Sequence, residues 1–348
     1  MIELKNINYR VGSFLIENFS LAINSGEYFS LVGPSGSGKS IILELLAGFR
    51  RPKSGQIFHN SQDITQVSIQ KRPFRIVFQD FALFPHLNVF ENIEYGIKQI
   101  VKSKVERANL ITTTAQQMGI GHLLNRSVNH LSGGEKQRVA LARSIICKPD
   151  VLLFDEPLSS LDVNLRDDFL EIFQQLKKSG FTILHVTHDF EEAAQLSHRI
   201  GIIENGNLIQ MGEPIDFYKN PKHPFVAKFA GHKNIFKANL IKNDIGVFAQ
   251  IFESEVKILT QDVRTGEFHI FIPSEAILIS EESVRSSAQN VLQGTVSEFS
   301  IFGESVQLKI DVGVSIVAKI SNASFQNLKL EIGKKVYVVF KSSSVGVI

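Results

Sequence analysis

The sequence predicts an α/β domain with a helical subdomain, followed by a smaller all-β, barrel-like domain. Three observations predict it. A glycine-rich turn at residues 33–40 lies between a β-prone apolar run and a helix-prone one. The apolar run 151–154 ends in two acids, Asp155 and Glu156, as the tip of a buried parallel strand does. Beyond about residue 232 the chain turns into short apolar runs at regular spacing, broken by turn residues, the pattern of a small barrel.

Each element follows from its residues. Tyr28 to Val32 is apolar and β-prone, and Ile41 to Phe49 is helix-prone and mostly apolar. Between them stands Gly33-Pro34-Ser35-Gly36-Ser37-Gly38-Lys39-Ser40, the pattern Gly-x-x-x-x-Gly-Lys-Ser. Such a turn aims backbone N–H groups at one point, and the helix dipole adds positive potential there. It is a cradle for phosphate, with Lys39 in reach of the β- and γ-phosphates and the Ser40 hydroxyl a ligand for Mg²⁺. Phe74 to Phe78 is a strand, followed by Gln79. In Leu131-Ser132-Gly133-Gly134-Glu135, Ser132 and Glu135 form a capping box, so a helix starts there. Val139, Ala140, Ala142, Ile145 and Ile146 give that helix a buried face. Gly133 and Gly134 weaken a helix start, and they make sense where a ligand approaches the backbone closely. Val163 to Ser179 is an amphipathic helix with Leu165, Phe169, Ile172, Phe173 and Leu176 facing the core. A strand over Phe181 to Thr187 leads to His188, and a further helix begins at Asp189. A short helix over Phe225 to Phe229 ends the first domain, which places the boundary between residues 231 and 232.

Together these motifs resemble the ATP-binding-cassette family, over about residues 2 to 231. The resemblance implies an ATPase that uses ATP and Mg²⁺. Residues Gly33 to Ser40 would hold the phosphates. Ser40, Gln79 and Asp155 would hold the metal, Asp155 through water, and Glu156 would polarise the attacking water. Gln79 matches the Q-loop, Ser159-Ser160-Leu161-Asp162 the D-loop, and His188 the switch histidine that contacts the γ-phosphate. Ser132, Gly133 and Gly134 match the signature that binds ATP held on the opposite subunit, so a homodimer is implied. This assignment suits phosphoryl transfer, which depends on positioning and charge neutralisation rather than covalent chemistry. No Asn-Lys-x-Asp guanine-reading motif appears. The sequence departs from the family in one place: the aromatic residue that stacks on adenine is replaced by Val11, with Tyr9 and Phe14 the nearest substitutes. Outside the set, His59, His122, His185, His198 and His223 read as solvated loop residues, and no His/Cys spacing suggests a metal cage.

Composition bounds the rest. The chain has 348 residues, 43% of them hydrophobic, with net charge +2, which fits two globular domains. A single cysteine, Cys147, excludes an internal disulfide framework and suits a reducing compartment. The start of the chain lacks the pattern of a signal peptide, and no apolar stretch is long enough to span a membrane. A channel would have to come from other subunits, with this chain peripheral on the cytoplasmic face of the membrane. In import-type cassettes the region corresponding to Phe81 to Ile93, with its Leu83-Phe84-Pro85-His86, forms a groove for a helix of the membrane permease. Exposed aromatics there suit a protein contact on general grounds.

The second domain shows an internal repeat: Asn234 to Leu240 echoes Asn290 to Val296. Each half is expected to form one barrel-like unit. From residue 232 onward there are 12 Lys plus Arg and 12 Asp plus Glu, so no nucleic-acid partner is expected. Ser286 to Gly294 and Lys341 to Val345 resemble the molybdate-binding (Mop-like) or TOBE domain, with Gln289 where an arginine is usual. Ser287, Asn290, Lys341 and Ser343 are the candidate oxyanion donors. The expected function is therefore the ATPase of a molybdate or tungstate importer, fed by an extracytoplasmic binding protein through the permease. Molybdate or tungstate on the second domain would act as a regulatory ligand that holds the ATPase halves apart. The alternatives are the ATPase of a sulfate, iron or polyamine importer, or a soluble cassette protein outside transport.

Overall fold

The computed structural model describes residues 1–159, 163–283 and 285–348, and the chain divides into two compact units, Met1–Pro214 and Ile215–Ile348. In chain order, unit 1 contains β1 (Ile2–Val11), β2 (Phe14–Ile23), β3 (Tyr28–Val32), α1 (Lys39–Ala47), β4 (Ser54–His59), β5 (Gln62–Asp63), β6 (Phe74–Val77), α2 (Val89–Ile97), α3 (Lys104–Gln117), α4 (Gly133–Ile145), β7 (Val151–Asp155), α5 (Val163–Lys178), β8 (Thr182–Thr187), α6 (Phe190–Leu196), β9 (Arg199–Glu204) and β10 (Asn207–Gly212). Its main sheet has the order β10-β9-β3-β8-β7-β6. All pairs are parallel except the edge pair of β10 and β9. β3 and β8 are buried along their whole length, which explains why they read as unbroken apolar runs rather than alternating ones. A second, antiparallel sheet has the order β2-β1-β4-β5.

Two apolar cores hold unit 1 together. One lies among α2, α3, α4 and α5 and takes in Phe154, Phe169 and Phe173. The other joins the antiparallel sheet to α1, with Ile42, Leu43, Leu45 and Leu46 of α1 fully buried. Arg72, also buried, braces this second core. Its guanidinium donates to the carbonyls of Leu45 and Leu46 at the end of α1, and to those of Ile64, Thr65 and Val67. All its donors are used, so a buried charge is tolerated and the helix C-terminus is capped at once. The helix that carries the phosphate turn is thus fixed at its far end.

α7 (Pro214–Lys219) leads into unit 2, which continues with α8 (Pro224–Phe229), β11 (Asn234–Lys242), β12 (Val247–Ile251), β13 (Lys257–Thr260), β14 (Gly266–Ile272), β15 (Leu278–Ser280), β16 (Asn290–Phe302), β17 (Ser305–Asp311), β18 (Ser315–Ser321), α9 (Asn322–Asn327), β19 (Lys335–Phe340) and β20 (Gly346–Val347). The division falls before the expected 231/232 boundary, and the segment after it has contacts within unit 2. His232 stacks on Tyr218 at 4.7 Å, and Tyr218 donates to Glu275 at 2.7 Å.

The two halves of unit 2 are not separate barrel-like bodies, as the repeat had suggested. One sheet has the order β13-β12-β11-β14-β20 and the other β18-β17-β16-β19-β15. Each half donates its last strand to the sheet of the other, and one core is shared between them. The repeated asparagines explain the echo in the sequence. Asn234 Nδ2 donates to Ile272 and Val317, and its Oδ1 accepts from Val317 N at 2.6 Å. Asn290 does the same across to β13, accepting from Leu259 N at 2.7 Å and donating to Leu259 O at 3.0 Å. Each stitches its own half to a strand of the other.

Candidate active site

The phosphate turn lies between β3 and α1. Gly38 has φ +104 and stands at the N-cap of α1 with no side chain capping the first turn. The leading N–H groups of α1 therefore face the turn without a protein side-chain acceptor, which suits an anion. A Cβ on Gly38 would lie 2.7 Å from the Phe14 ring, and one on Gly33 would lie 2.2 Å from the Ile203 carbonyl, so close packing demands glycine at both. Lys39 is buried and donates to the carbonyls of Gly33 at 2.8 Å and Pro34 at 3.0 Å. Burial pulls its pKa below the ordinary value, against the opposing pull of Glu156 and Asp155.

A cleft of about 620 Å³ opens over this turn, and Phe14, Lys39, Ser40, Gln79, Asp155 and Glu156 are among its walls. Ser40 Oγ donates to Asp155 Oδ1 at 3.2 Å, and burial raises the Asp155 pKa from its ordinary value. Ser40, Gln79 and Asp155 together form an oxygen-rich set of the kind a hard divalent cation takes. Glu156 follows at the tip of β7. Its carboxylate stands between Lys39, with Oε1 3.8 Å from Nζ, and His188, with Oε2 3.1 Å from Nδ1. An acid, a cation and an imidazole converge beside a phosphate cradle.

The signature segment is built separately. Ser132 caps α4 with both bonds of the box formed: Glu135 N donates to Ser132 Oγ, and Ser132 N donates to Glu135 Oε2 at 2.7 Å. Gly133 is exposed with open space where a Cβ would stand. Among the described residues Ser132, Gly133 and Gly134 do not line the cleft.

Comparison with known proteins decides the family. Residues 16–159 match the ABC transporter family and residues 286–347 the TOBE domain. The molybdate/tungstate import ATP-binding protein WtpC of Pyrococcus horikoshii is 37% identical over 100% of this chain and 99% of its own length. The chain belongs to the ABC transporter family, among its import ATP-binding proteins. The Fe(3+) ions import ATP-binding protein FbpC of Vibrio cholerae is 39% identical over 84% of each chain. Among solved structures, a dimeric ATP-binding cassette in a post-hydrolysis state with ADP and Pi is 30% identical, with TM-score 0.56, covering 62% of this chain and 99% of that one. CbiO1 of Clostridium perfringens, part of the ABC transporter complex cbiONQ, is 26% identical with TM-score 0.59, covering 63% and 90%.

Within this cassette the remaining candidates fall as follows. Asp162 of the D-loop lies outside the described residues. Tyr9 is engaged, its hydroxyl accepting from Arg50 at 2.7 Å, whereas Phe14 lines the cleft. Phe81, Leu83 and Phe90 pack partly onto the helical core, and Asn92 fastens the loop by accepting from Phe84 N and donating to the Phe84, Leu87 and Asn88 carbonyls. Of the four oxyanion candidates, Ser287, Lys341 and Ser343 are exposed, while the side-chain amide of Asn290 is taken up by Leu259. Gln289 accepts from the N–H and hydroxyl of Ser342 at 3.2 and 3.0 Å.

Two histidines read as solvated are buried instead. His59 packs edge-on against Phe74. His185 is completely buried on β8, with Nδ1 3.1 Å from the Tyr28 hydroxyl and Nε2 2.9 Å from Glu192. Its position inside an apolar strand was a signal of burial that the residue type concealed.

Among the described residues no helix is long and apolar enough to cross a membrane.

Proposed function

We propose that the chain binds ATP in the cleft and hydrolyses it as the motor of a molybdate or tungstate importer. The placement of Glu156 between Lys39 and His188, beside the glycine-rich turn, carries the hydrolytic part. The backbone N–H groups of Gly36 to Ser40 would cradle the phosphates, and Lys39 would turn from the Gly33 and Pro34 carbonyls toward them. Glu156 orients the attacking water, and His188 contacts the γ-phosphate and holds the Glu156 carboxylate in place. Phe14 offers an aromatic face in the cleft for adenine in place of Val11. Ser40, Gln79 and Asp155 fit Mg²⁺, which would neutralise charge on the phosphates when bound. The signature of a second copy would close the site, so the working form is a homodimer on the cytoplasmic face of the membrane. The segment Phe81 to Ile93 would meet a permease served by an extracytoplasmic binding protein.

The catalytic assignment is tested by Glu156→Gln. ATP binding should persist while turnover falls by roughly 100-fold or more. Turnover at the wild-type rate would remove Glu156 from the chemistry.

Full-length similarity to WtpC, second domain included, supports molybdate or tungstate as cargo. The FbpC similarity favours a second reading, ferric iron, over a shorter span. Uptake of radiolabelled tungstate and ferric iron by the chain assembled with its permease separates the two. Ser287, Lys341 and Ser343 are the donors left for a regulatory oxyanion. Calorimetric titration of the full chain with molybdate, tungstate and sulfate tests them, and heat with the first two alone supports feedback control.

A further inference from the structure

His188 stands on the turn between β8 and α6, and a buried chain of polar groups lies behind that turn. Glu192, on the first turn of α6, has only 4% of its side chain exposed. A carboxylate so placed is costly unless each oxygen is paired. Oε2 accepts from Arg166 of α5 at 3.0 Å, and Oε1 lies 2.9 Å from Nε2 of His185 on β8. The other ring nitrogen of His185 is 3.1 Å from the hydroxyl of Tyr28 on β3. Burial, reinforced by the Glu192 charge, keeps that hydroxyl protonated far above its ordinary range. Nε2 of His185 and Oε1 of Glu192 are close but form no hydrogen bond, so among the described residues Arg166 is the side chain that hydrogen-bonds the Glu192 carboxylate. Arg166 also bridges Asp189, the residue next to His188. Asp189 in turn caps α6, accepting from Glu192 N at 3.0 Å.

Among the described residues none of these five side chains lines the cleft. Apolar groups would fill the same space at less cost, so the polar chain calls for a role beyond packing. We propose that Arg166, with His185 and Glu192, is a positioning network that fixes the turn presenting His188 to Glu156. It ties the turn to α5 and sets it against β8. Arg166 lies four residues beyond Asp162. The helix after the D-loop thereby sets where the imidazole stands.

The inference rests on the hydrolytic role of Glu156 and His188 proposed above, and one experiment separates the two. Steady-state ATPase activity of the full-length chain is measured for wild type, Glu156→Gln, Arg166→Met, Arg166→Lys, Glu192→Gln, His188→Ala and the Arg166→Met/His188→Ala pair. Arg166→Met should lower kcat on the order of 10- to 100-fold with KM for ATP nearly unchanged, since the displaced group acts on the reacting centre. Arg166→Lys should recover much of the loss, and Glu192→Gln, which keeps the side-chain shape, should repeat it. Once His188 is gone, Arg166→Met should cost nothing further. Wild-type turnover in both Arg166→Met and Glu192→Gln, or full multiplication of the two losses in the pair, overturns the network. Equal turnover in wild type and Glu156→Gln instead brings down the hydrolytic reading beneath it.

Discussion

Glu156 adopts a left-handed backbone conformation, φ +46, that side chains other than glycine rarely take. Such strain persists where surroundings enforce it, and here the backbone N–H of Glu156 donates to Val186 O at 2.9 Å while Ser159 binds its carbonyl. Nothing in the acid pair of the sequence announces that geometry, because φ is imposed by neighbours distant in the chain. Lys39, Asp155 and His188 were legible since each belongs to a local motif. The partners of His185 were not, for Tyr28 and Glu192 come from two other elements, β3 and α6. Asn234 illustrates the same limit, and its replacement by alanine should cost about 2–3 kcal/mol by stranding buried backbone groups of Val317 and Ile272. Urea unfolding of the full chain measures this. His232 carries a pH dependence. Burial depresses its pKa, outweighing the opposite pull of the Tyr218 carbonyl and Glu275. The folded state thus binds fewer protons than the unfolded one below about pH 6.5, so the contribution of neutral His232 is complete above that value. It is lost as pH falls through the folded pKa. Melting temperature should drop from about pH 7.5 to about pH 5.5, and less steeply in His232→Gln; equal slopes would refute the assignment.

At the scale of elements, the Ser132 hydroxyl caps α4, and the proposed function gives it a second duty toward ATP. Ser132→Ala should lose about 1 kcal/mol of stability and Ser132→Gly only a few tenths, because glycine tolerates the N-cap conformation. Both variants lack the hydroxyl, so both should lose turnover alike if Ser132 also meets ATP. Paired calorimetry and ATPase assays check this, and a turnover loss that instead follows stability would reduce Ser132 to a cap. Elements with strong periodicity or continuous apolar runs were read correctly in kind. α5 buries Phe169, Ile172, Phe173 and Leu176 as its stripe requires, and Leu165 packs beside Gly134. Strand pairing was less legible. β15 and β20 are three and two residues long, too short to carry a pattern, yet each closes the sheet of the opposite half.

At the scale of the whole molecule, the two units have different folding logic. Unit 1 builds much of its structure from neighbouring β-α steps, whereas unit 2 depends on pairings far apart in sequence. β20 pairs with β14 through Ile270 and Val347, and Ile348 exchanges two backbone hydrogen bonds with His269. Truncation after Val345 should therefore weaken the sheet of the first half, although every residue of that half is retained. Hydrogen exchange at Ile270 and Phe271 reads the effect, and unchanged protection would count against it. The exchange of closing strands also has a bearing on synthesis. As the chain leaves the ribosome, β14 emerges roughly seventy residues before Gly346 and Val347. For that interval one edge of its sheet has no intended neighbour, and an open edge invites pairing with any other nascent chain nearby. The second unit becomes safe from such encounters only when residues 346–348 have emerged and folded back onto β14.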